Sequence, residues 1–148
     1  MKSMIEEILE IPERAMNFWN HSESFKLPLK VPYLGMGSSY FAPLAFKFMK
    51  IEIYPEIASE FCHYQIGNIK LPQAVILSQS GRSSEALWCS KLFETYIAIT
   101  NNPDGELSTF KNVVQTVPLL AGDEHFSSSK TYINTLLALF KGFGFEVN

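Results

Sequence analysis

The chain has 148 residues, of which 47% are hydrophobic, 18% are charged and 14% are aromatic, and its formal net charge is −3. This length and composition predict one globular domain with a substantial core, and they exclude a disordered chain. Lysine and arginine are scattered singly along the chain. No basic stripe is therefore available to neutralise a nucleic-acid backbone, and we expect no nucleic-acid partner.

The cysteines and the start of the chain bear on cofactors and compartment. Cys62 and Cys89 match no metal-binding spacing and no Cys-x-x-Cys motif, so we expect two small buried side chains, no metal and no cofactor. The first residues lack the basic and apolar regions of a signal peptide, and no apolar run approaches the roughly 20 residues needed to cross a bilayer. The sequence therefore predicts a cytoplasmic protein that does not enter a membrane.

The predicted elements begin with an amphipathic leader helix. Apolar residues recur at three- and four-residue spacing from Ile5 to Trp19, and Pro12 is expected to kink or restart the helix. Residues 1–28 are interpreted as this leader helix with its loop. Residues 29–148 are interpreted as a sheet with flanking helices, within a single domain that spans residues 1–148.

Short apolar segments follow the leader and alternate with helical patterns. Strands are predicted over 30–34, 51–54, 73–77, 96–100 and 113–117. Helices are predicted after the first strand and over 57–61, 83–94 and 128–141, with a half-turn over 107–110. This alternation indicates an α/β, doubly wound, three-layer domain with a five-stranded parallel sheet.

The last predicted helix is apolar on nearly all sides. Its apolar residues exceed what the burial of one stripe requires. We therefore expect its outer face, and the helix that contains Trp19, to contact another protein surface. On that ground the chain is predicted to form a homodimer or a higher homo-oligomer.

Serines are concentrated directly after three of the predicted strands. In a doubly wound sheet the ligand lies beyond the carboxyl ends of the strands, where the strand order reverses. The runs are Gly37-Ser38-Ser39 after the first strand, Ser78-Gln79-Ser80-Gly81-Arg82-Ser83-Ser84 after the third, and Gly122-Asp123-Glu124-His125-Phe126-Ser127-Ser128-Ser129 after the fifth. These loops are expected to converge on one ligand with hydroxyl and amide groups.

The run after the third strand suits an anion. It lies at the predicted start of a helix, where free N–H groups and the helix dipole favour a phosphate. Gly81 permits close approach of the ligand, and Arg82 adds a positive charge that can pair with it. The alternative is that Ser80 or Ser83 only caps the helix, but a cap does not explain the serines after two other strands.

Five further segments carry a resemblance to a known family. They are Gly37-Ser38-Ser39-Tyr40, Ile57-Ala58-Ser59-Glu60-Phe61, Leu77-Ser78-Gln79-Ser80-Gly81, Ala98-Ile99-Thr100-Asn101 and Ser128-Ser129-Lys130-Thr131-Tyr132. In this order they resemble the sugar isomerase (SIS) domain family, and most of all the first SIS half of the isomerase domain of glucosamine-fructose-6-phosphate aminotransferases. The opening Glu7-Ile8-Leu9-Glu10-Ile11-Pro12-Glu13 also resembles the leader helix of that group.

The resemblance implies a flavodoxin-like SIS fold and a sugar phosphate as ligand. Its phosphate-binding positions fall on Ser78, Gln79, Ser80 and Ser83, within the loop that also contains Gly81 and Arg82. Its sugar-binding positions fall on the Gly37-Ser38-Ser39 turn and on Ser128. Arg82 stands where the family usually has Glu, and the loop that begins at Glu124 is one residue shorter than in the aminotransferases.

The implied function is that of a phosphosugar isomerase or deaminase acting on an aldose or ketose 6-phosphate or its amino derivative. The family's catalytic Glu and His lie in the second SIS half, which has no counterpart in this chain. Glu124 and His125 are therefore the local candidates for proton transfer. His63 and Glu60 are further candidates, although Glu60 is interpreted as a structural residue at a junction. The alternative function is a non-catalytic sugar-phosphate sensor or regulatory module.

Two other functions are set aside by the sequence. A glutaminase needs its own domain with an activated cysteine nucleophile, and neither cysteine lies near the start of the chain. A nucleotide-binding domain needs a third glycine after Gly35-x-Gly37 or a Gly-Lys-Ser/Thr phosphate loop, and the sequence has neither. The identity of the sugar, and whether the chain is half of a two-SIS protein, are left open.

Overall fold

The strands form one parallel sheet in a computed structural model, which describes residues 2–64, 70–125 and 128–146. The strands are β1 Pro32–Gly35, β2 Tyr54–Ile57, β3 Leu71–Ser78, β4 Phe93–Thr100 and β5 Val113–Pro118. Their order in the sheet is β2-β1-β3-β4-β5, and every neighbouring pair is parallel. This is the flavodoxin-like order, so the predicted fold class is confirmed.

The helices cover both faces of the sheet and complete the three layers. They are α1 Met4–Leu9, α2 Ile11–His21, α3 Ser38–Phe48, α4 Ala58–Tyr64, α5 Ser84–Ser90 and α6 Lys130–Gly142, with a 3-10 turn at Glu106–Ser108. Helices α2 and α3 pack against α6 on one face, whereas α4 and α5 pack together on the other. Within the described residues, none of the helices is long and apolar enough to cross a membrane.

The central strand β3 shows why the sheet needs apolar residues on both sides. Val75 and Leu77 belong to the core beneath α6, whereas Ala74 and Ile76 belong to the core beneath α4 and α5. Side chains of a strand alternate between its two faces, and parallel sheets are covered on both. A nearly continuous apolar run is therefore what this position in the sheet requires.

Several element boundaries differ from the prediction, and tertiary contacts explain two of them. Strand β2 begins at Tyr54 rather than at residue 51. The Ile51 N–H instead donates to the Phe46 carbonyl and closes the end of α3 before the chain enters β2. Helix α5 ends at Ser90 rather than continuing to residue 94, because Phe93 is completely buried in the sheet as the first residue of β4. In both cases tertiary packing overrides the local helical or strand preference.

The leader consists of two helices rather than one. Ser3 caps α1 in a reciprocal capping box with Glu6, and Pro12 lies in the first turn of α2, where its missing N–H costs nothing. The expectation that Pro12 restarts the helix is therefore confirmed. Of the two cysteines, Cys89 is buried and Cys62 is half-buried, and both are free thiols.

Much of the apolar surface of the last helix is covered within the chain, and its predicted contact with another protein surface stays a prediction. Helix α6 packs against α2 and α3, and none of its large apolar side chains is exposed. Trp19 is likewise half-buried, with its ring centroid 6.4 Å from that of Phe140. The helical pattern indicates how much apolar surface α6 carries, but the neighbours that cover it are set by the tertiary structure. The exposed apolar side chains of the leader are Met16 on α2 and four neighbouring residues on α1, namely Met4, Ile5, Ile8 and Leu9.

Candidate functional site

A cavity of about 400 Å³ lies at the carboxyl ends of β1 and β3. These neighbouring strands are the point where the strand order reverses, because β2 lies on one side of β1 and β3 on the other. Its lining is dominated by serines and comprises Met36, Gly37, Ser38, Ser39, Leu77, Ser78, Gln79, Ser80, Ser83, Glu124 and Ser128. Residues from all three serine-bearing loops therefore meet in one place.

Two glycines bring the first turn of α3 to this cavity. Gly37 is the N-cap of α3 with a φ of 56°, a left-handed conformation that favours glycine, and no side chain caps the helix. A Cβ at Gly35 would collide with the backbone carbonyl of Ser39. Glycine at both positions lets the helix start close to the strand, with Ser38 and Ser39 at the edge of the cavity.

The loop after β3 is folded by its own serines. The Gly81 N–H donates to the Ser78 hydroxyl at 3.1 Å, and Gly81 has a φ of 67°. The Ser80 hydroxyl accepts from the Arg82 N–H at 3.1 Å. Ser83 is the N-cap of α5, and its hydroxyl accepts from the Ala86 N–H at 3.3 Å. The capping role of Ser83 is therefore confirmed, and the same residue also lines the cavity, where its hydroxyl proton can be donated to a ligand.

The loop after β4 supports the phosphate-loop candidate from behind. The Asn102 side-chain amide donates to the Ser80 carbonyl at 3.0 Å, and the Asn101 N–H donates to the Gln79 carbonyl at 3.2 Å. A Cβ at Gly81 would lie 2.9 Å from the Asn102 carbonyl oxygen. From the sequence, the Pro and Gly of Asn101-Asn102-Pro103-Asp104-Gly105 predict only a turn after β4. Two asparagines directly after a buried strand were the available signal for this supporting role.

Glu124 caps helix α6 as well as lining the cavity. Its Oε1 accepts hydrogen bonds from the Ser129 N–H at 2.6 Å, the Ser129 hydroxyl at 2.8 Å and the Lys130 N–H at 2.9 Å. Burial works to raise the pKa of Glu124, but the nearby Thr131 hydroxyl and the donors of Ser129 and Lys130 outweigh burial and lower it. The carboxylate is therefore ionised at neutral pH and holds the start of α6.

The other candidates for proton transfer lie apart from the cavity. His125 is exposed, and its backbone N–H donates to Glu7 Oε1 at 2.8 Å. Glu60 and His63 line a separate recess beside Trp88 on the α4 side of the sheet. Of the predicted proton-transfer groups, the described lining of the serine-rich cavity contains Glu124 alone. Its catalytic role stays a prediction.

The described lining of the cavity contains no lysine or arginine. Arg82 is exposed and lies outside that lining, so its pairing with a phosphate stays a prediction. A bound anion would meet hydroxyl groups and the Gln79 amide, which are donors suited to it. In the described part of the chain, no group of three or more His, Cys, Asp or Glu side chains is placed to hold a metal ion.

Solved structures share this fold, whereas no family model and no curated protein matches the sequence. The chain superposes on the tagatose-6-phosphate ketose/aldose isomerase from Escherichia coli with a TM-score of 0.67 and 16% identity, covering 94% of this chain and 47% of that one. It superposes on the C-terminal domain of glucosamine-fructose-6-phosphate aminotransferase from Francisella tularensis with a TM-score of 0.70 and 24% identity, covering 93% of this chain and 46% of that one. It superposes on the glucosamine-6-phosphate deaminase from Thermotoga maritima with a TM-score of 0.64 and 18% identity, covering 95% of this chain and 47% of that one.

These comparisons define the class of fold. The chain has the α/β fold of the SIS type that the sequence resemblance implied, and the resemblance is confirmed at that level. The chain spans about half the length of each of these three structures.

Proposed function

We propose that this chain binds a phosphorylated sugar and acts as a phosphosugar isomerase or deaminase domain of the SIS type. One observation carries the proposal. Six serines and one glutamine from three loops line a single cavity at the point where the strand order reverses. Such a lining offers many short, reorientable donors and acceptors, which suit a phosphate and several sugar hydroxyls at once.

The two ends of the ligand have separate partners in this proposal. The phosphate lies against Ser78, Gln79, Ser80 and Ser83, on the loop that Asn101 and Asn102 support. The sugar oxygens lie against Ser38, Ser39 and Ser128. The three solved structures compared above, each named for a sugar 6-phosphate, support this choice of ligand. Sugar phosphates belong to the cell interior, which agrees with the predicted cytoplasmic location.

Isomerisation requires a base that removes a proton from the carbon beside the carbonyl. Glu124 is proposed for this step, because it is a carboxylate on the cavity wall and its lowered pKa keeps it ionised at neutral pH. Oε1 is occupied by the hydrogen bonds from Ser129 and Lys130 at the start of α6. Oε2 is therefore the oxygen available for the proton.

A non-catalytic sensor is the second candidate function. Glu124 is the only titratable side chain in the described lining, and one of its oxygens already caps α6. A binding module needs no further acid or base, whereas an isomerase normally uses an acid for ring opening as well. The choice between the two functions is therefore a choice about proton transfer rather than about binding.

A ligand panel tests the proposal. Fructose 6-phosphate and glucosamine 6-phosphate at about 100 times their Kd are expected to stabilise the protein by about 2.7 kcal/mol, which raises Tm by about 5 to 10 °C. Free fructose and free glucosamine are the matched controls, and they should leave Tm unchanged. A panel in which no sugar phosphate changes Tm would contradict phosphosugar binding.

Proton exchange then separates the enzyme from the sensor. Incubation of a bound sugar phosphate in heavy water is expected to replace the hydrogen on the carbon beside the carbonyl, as followed by NMR. Glu124→Gln should abolish this exchange and leave phosphate affinity nearly intact, because its amide oxygen can still accept from the start of α6 but cannot take the proton. Binding without exchange in the wild-type protein would favour the sensor.

The proposed homodimer is assigned to the exposed face of α1. Ile5 and Leu9 are 69% and 72% exposed, and they lie beside Met4 and Ile8 on a helix of only six residues. An apolar patch of this kind is typical of a protein contact surface. This chain spans about half the length of each structure compared. A dimer of two such chains would therefore match the length of one of those structures.

Charged substitutions on this face test the dimer. Ile5→Glu with Leu9→Glu is expected to convert a wild-type dimer into a monomer at micromolar concentration, because two carboxylates cannot be buried unpaired. Light scattering coupled to size-exclusion chromatography measures the mass. Val114→Glu, on an exposed position of β5, is the matched control and should leave the mass unchanged. A wild-type monomer would contradict the assignment.

A further inference from the structure

The leader helix α1 places acidic side chains against the protein and apolar ones in solvent. Glu7 is 1% exposed, whereas Ile5 and Leu9 on the same helix are largely exposed. Burial of a carboxylate is costly unless it is paired or hydrogen-bonded. The inward carboxylates of the leader must therefore have partners, and those partners lie on the loop that carries Glu124 and at the start of α6.

Glu10, at the junction of α1 and α2, meets a buried lysine. Lys130 Nζ lies 2.8 Å from Glu10 Oε2 and donates to the Asp123 carbonyl at 2.6 Å, and the Lys130 side chain is completely buried. Glu7 Oε1 accepts from the His125 N–H at 2.8 Å. Glu7 of the leader therefore bonds directly to the residue after Glu124, and Glu10 reaches the residue before Glu124 through Lys130. Hydrogen bonds from Lys130 and Lys2 lower the pKa of Glu10 to about 2, so Glu10 is ionised at neutral pH.

The same loop is held from the sheet and from α6. The Asn101 side chain donates to the Gly122 carbonyl and accepts from the Ala121 N–H, each at 2.8 Å. The Asn134 side chain donates to the Leu119 carbonyl at 2.7 Å. The leader, the end of β4 and α6 thus all bond to the backbone of this loop. Among these contacts in the described residues, the Glu10–Lys130 pair is the ion pair, and the leader supplies its carboxylate.

Stability alone is a weak explanation for this arrangement. Replacing a buried ion pair by apolar residues of similar size is often neutral or stabilising. Moreover, buried side-chain atoms of Glu7, Arg14 and Asn134 at this junction have no hydrogen-bond partner among the described residues. Buried polar atoms without a partner cost stability, whereas the charge-assisted hydrogen bonds that are made hold their partners in one geometry. The groups that these bonds orient here are Glu124 and the start of α6.

We propose that Glu10 and Lys130 are positioning residues for the sugar-phosphate site. Their ion pair holds the Asp123 carbonyl and thereby sets the Glu124 carboxylate against the N–H groups of Ser129 and Lys130, beside Ser128 on the cavity wall. Docking of the leader helices and binding of the ligand are then linked, and each strengthens the other. The role of the loop in ligand binding rests on the proposed function, whereas its dependence on the leader does not.

The test removes the ion pair without leaving a buried charge. The variant is Glu10→Leu with Lys130→Met, which keeps side-chain size, and Glu13→Gln is the control, because Glu13 is exposed on α2 and makes no ion pair with the described residues. Amide hydrogen exchange is measured by NMR without ligand. Exchange at Ser129 and Lys130 should accelerate about tenfold or more in the double variant, as expected when a charge-assisted bond is lost, and Gly81 should not change.

Ligand affinity is measured on the same proteins. The Kd for fructose 6-phosphate should rise about tenfold in the double variant and stay within about twofold in Glu13→Gln. Unchanged exchange at Ser129 and Lys130 overturns the positioning role, whatever the affinity. If exchange is faster in the double variant but the wild-type protein binds no sugar phosphate, the positioning role stands and the proposed function is overturned.

A second variant covers the case in which the double variant does not fold. Glu10→Gln changes the partly exposed member of the pair and keeps an oxygen that can accept a hydrogen bond. Its exchange rates at Ser129 and Lys130 should rise in the same direction by about threefold or more, measured at a temperature where circular dichroism shows the variant fully folded. Wild-type rates in this variant would also overturn the proposal.

Discussion

Replacing Ser80 and Ser83 together by alanine is expected to abolish detectable binding of fructose 6-phosphate. Both side chains line the cavity, and each is proposed to donate to the phosphate. Hydrogen bonds to a charged group contribute about 1.5 to 3 kcal/mol each, so the loss of two predicts a fall in affinity of about 10² to 10⁴-fold. Isothermal titration calorimetry measures this loss directly.

The double substitution also removes a helix cap. The Ser83 hydroxyl accepts the Ala86 N–H at the start of α5, and loss of such a cap typically costs about 1 kcal/mol of stability. A small fall in Tm is therefore expected beside the loss of binding. Ser84→Ala is the matched control, because Ser84 is exposed and lies outside the described lining. Unchanged affinity in the double variant would show that the phosphate lies elsewhere.

Replacing Glu124 by alanine is expected to lower stability more than any other single change at the site. The carboxylate accepts from two backbone N–H groups and one hydroxyl at the start of α6. Losing a charged cap with these donors is expected to cost about 3 kcal/mol, or about 10 °C in Tm. Thermal and urea unfolding followed by circular dichroism measure the change.

The stabilisation by Glu124 should depend on pH. The pKa of Glu124 is lowered in the folded chain, so its contribution is fully present above the ordinary carboxyl pKa of 4.5. It is lost as the pH falls through the lowered, folded-state pKa. The difference in unfolding free energy between the wild type and Glu124→Gln should therefore be constant from about pH 6 to 8 and shrink below about pH 4.5. Ser128→Ala, which changes the same loop without changing charge, should show no such dependence, and a difference that grew on acidification would refute the capping role.

The meeting of the three serine-rich loops in one cavity could be predicted from the sequence. Serine-rich runs directly after apolar strands are local features, and the topology of a parallel sheet brings strand ends to one edge. The structure does bring Ser38, Ser80 and Ser128 to one cavity. What they bind stays a prediction. The supporting role of Asn102 was missed, because a side-chain bond to the Ser80 carbonyl joins two loops separated by a whole helix and strand.

Burial was less predictable than secondary structure. The sequence indicated the periodicity of α6 and its apolar excess, but it did not indicate that α2 and α3 are the helices that cover much of it within the chain. Likewise, α1 has the pattern of an amphipathic helix, and the pattern alone favours its apolar side as the buried one. The structure buries Glu7 instead, because the His125 N–H is available to its carboxylate.

The sequence by itself determined the α/β class, the parallel sheet and the loops that carry donors for an anion, because each depends on residues that are near one another along the chain. Only the tertiary structure decided that Glu10 pairs with Lys130, that Glu124 caps α6, and that Arg82 and His125 lie outside the described lining of the cavity. The physical reason is the distance along the chain: Glu10 and Lys130 are 120 residues apart, and no local periodicity specifies which distant charge a buried lysine will meet.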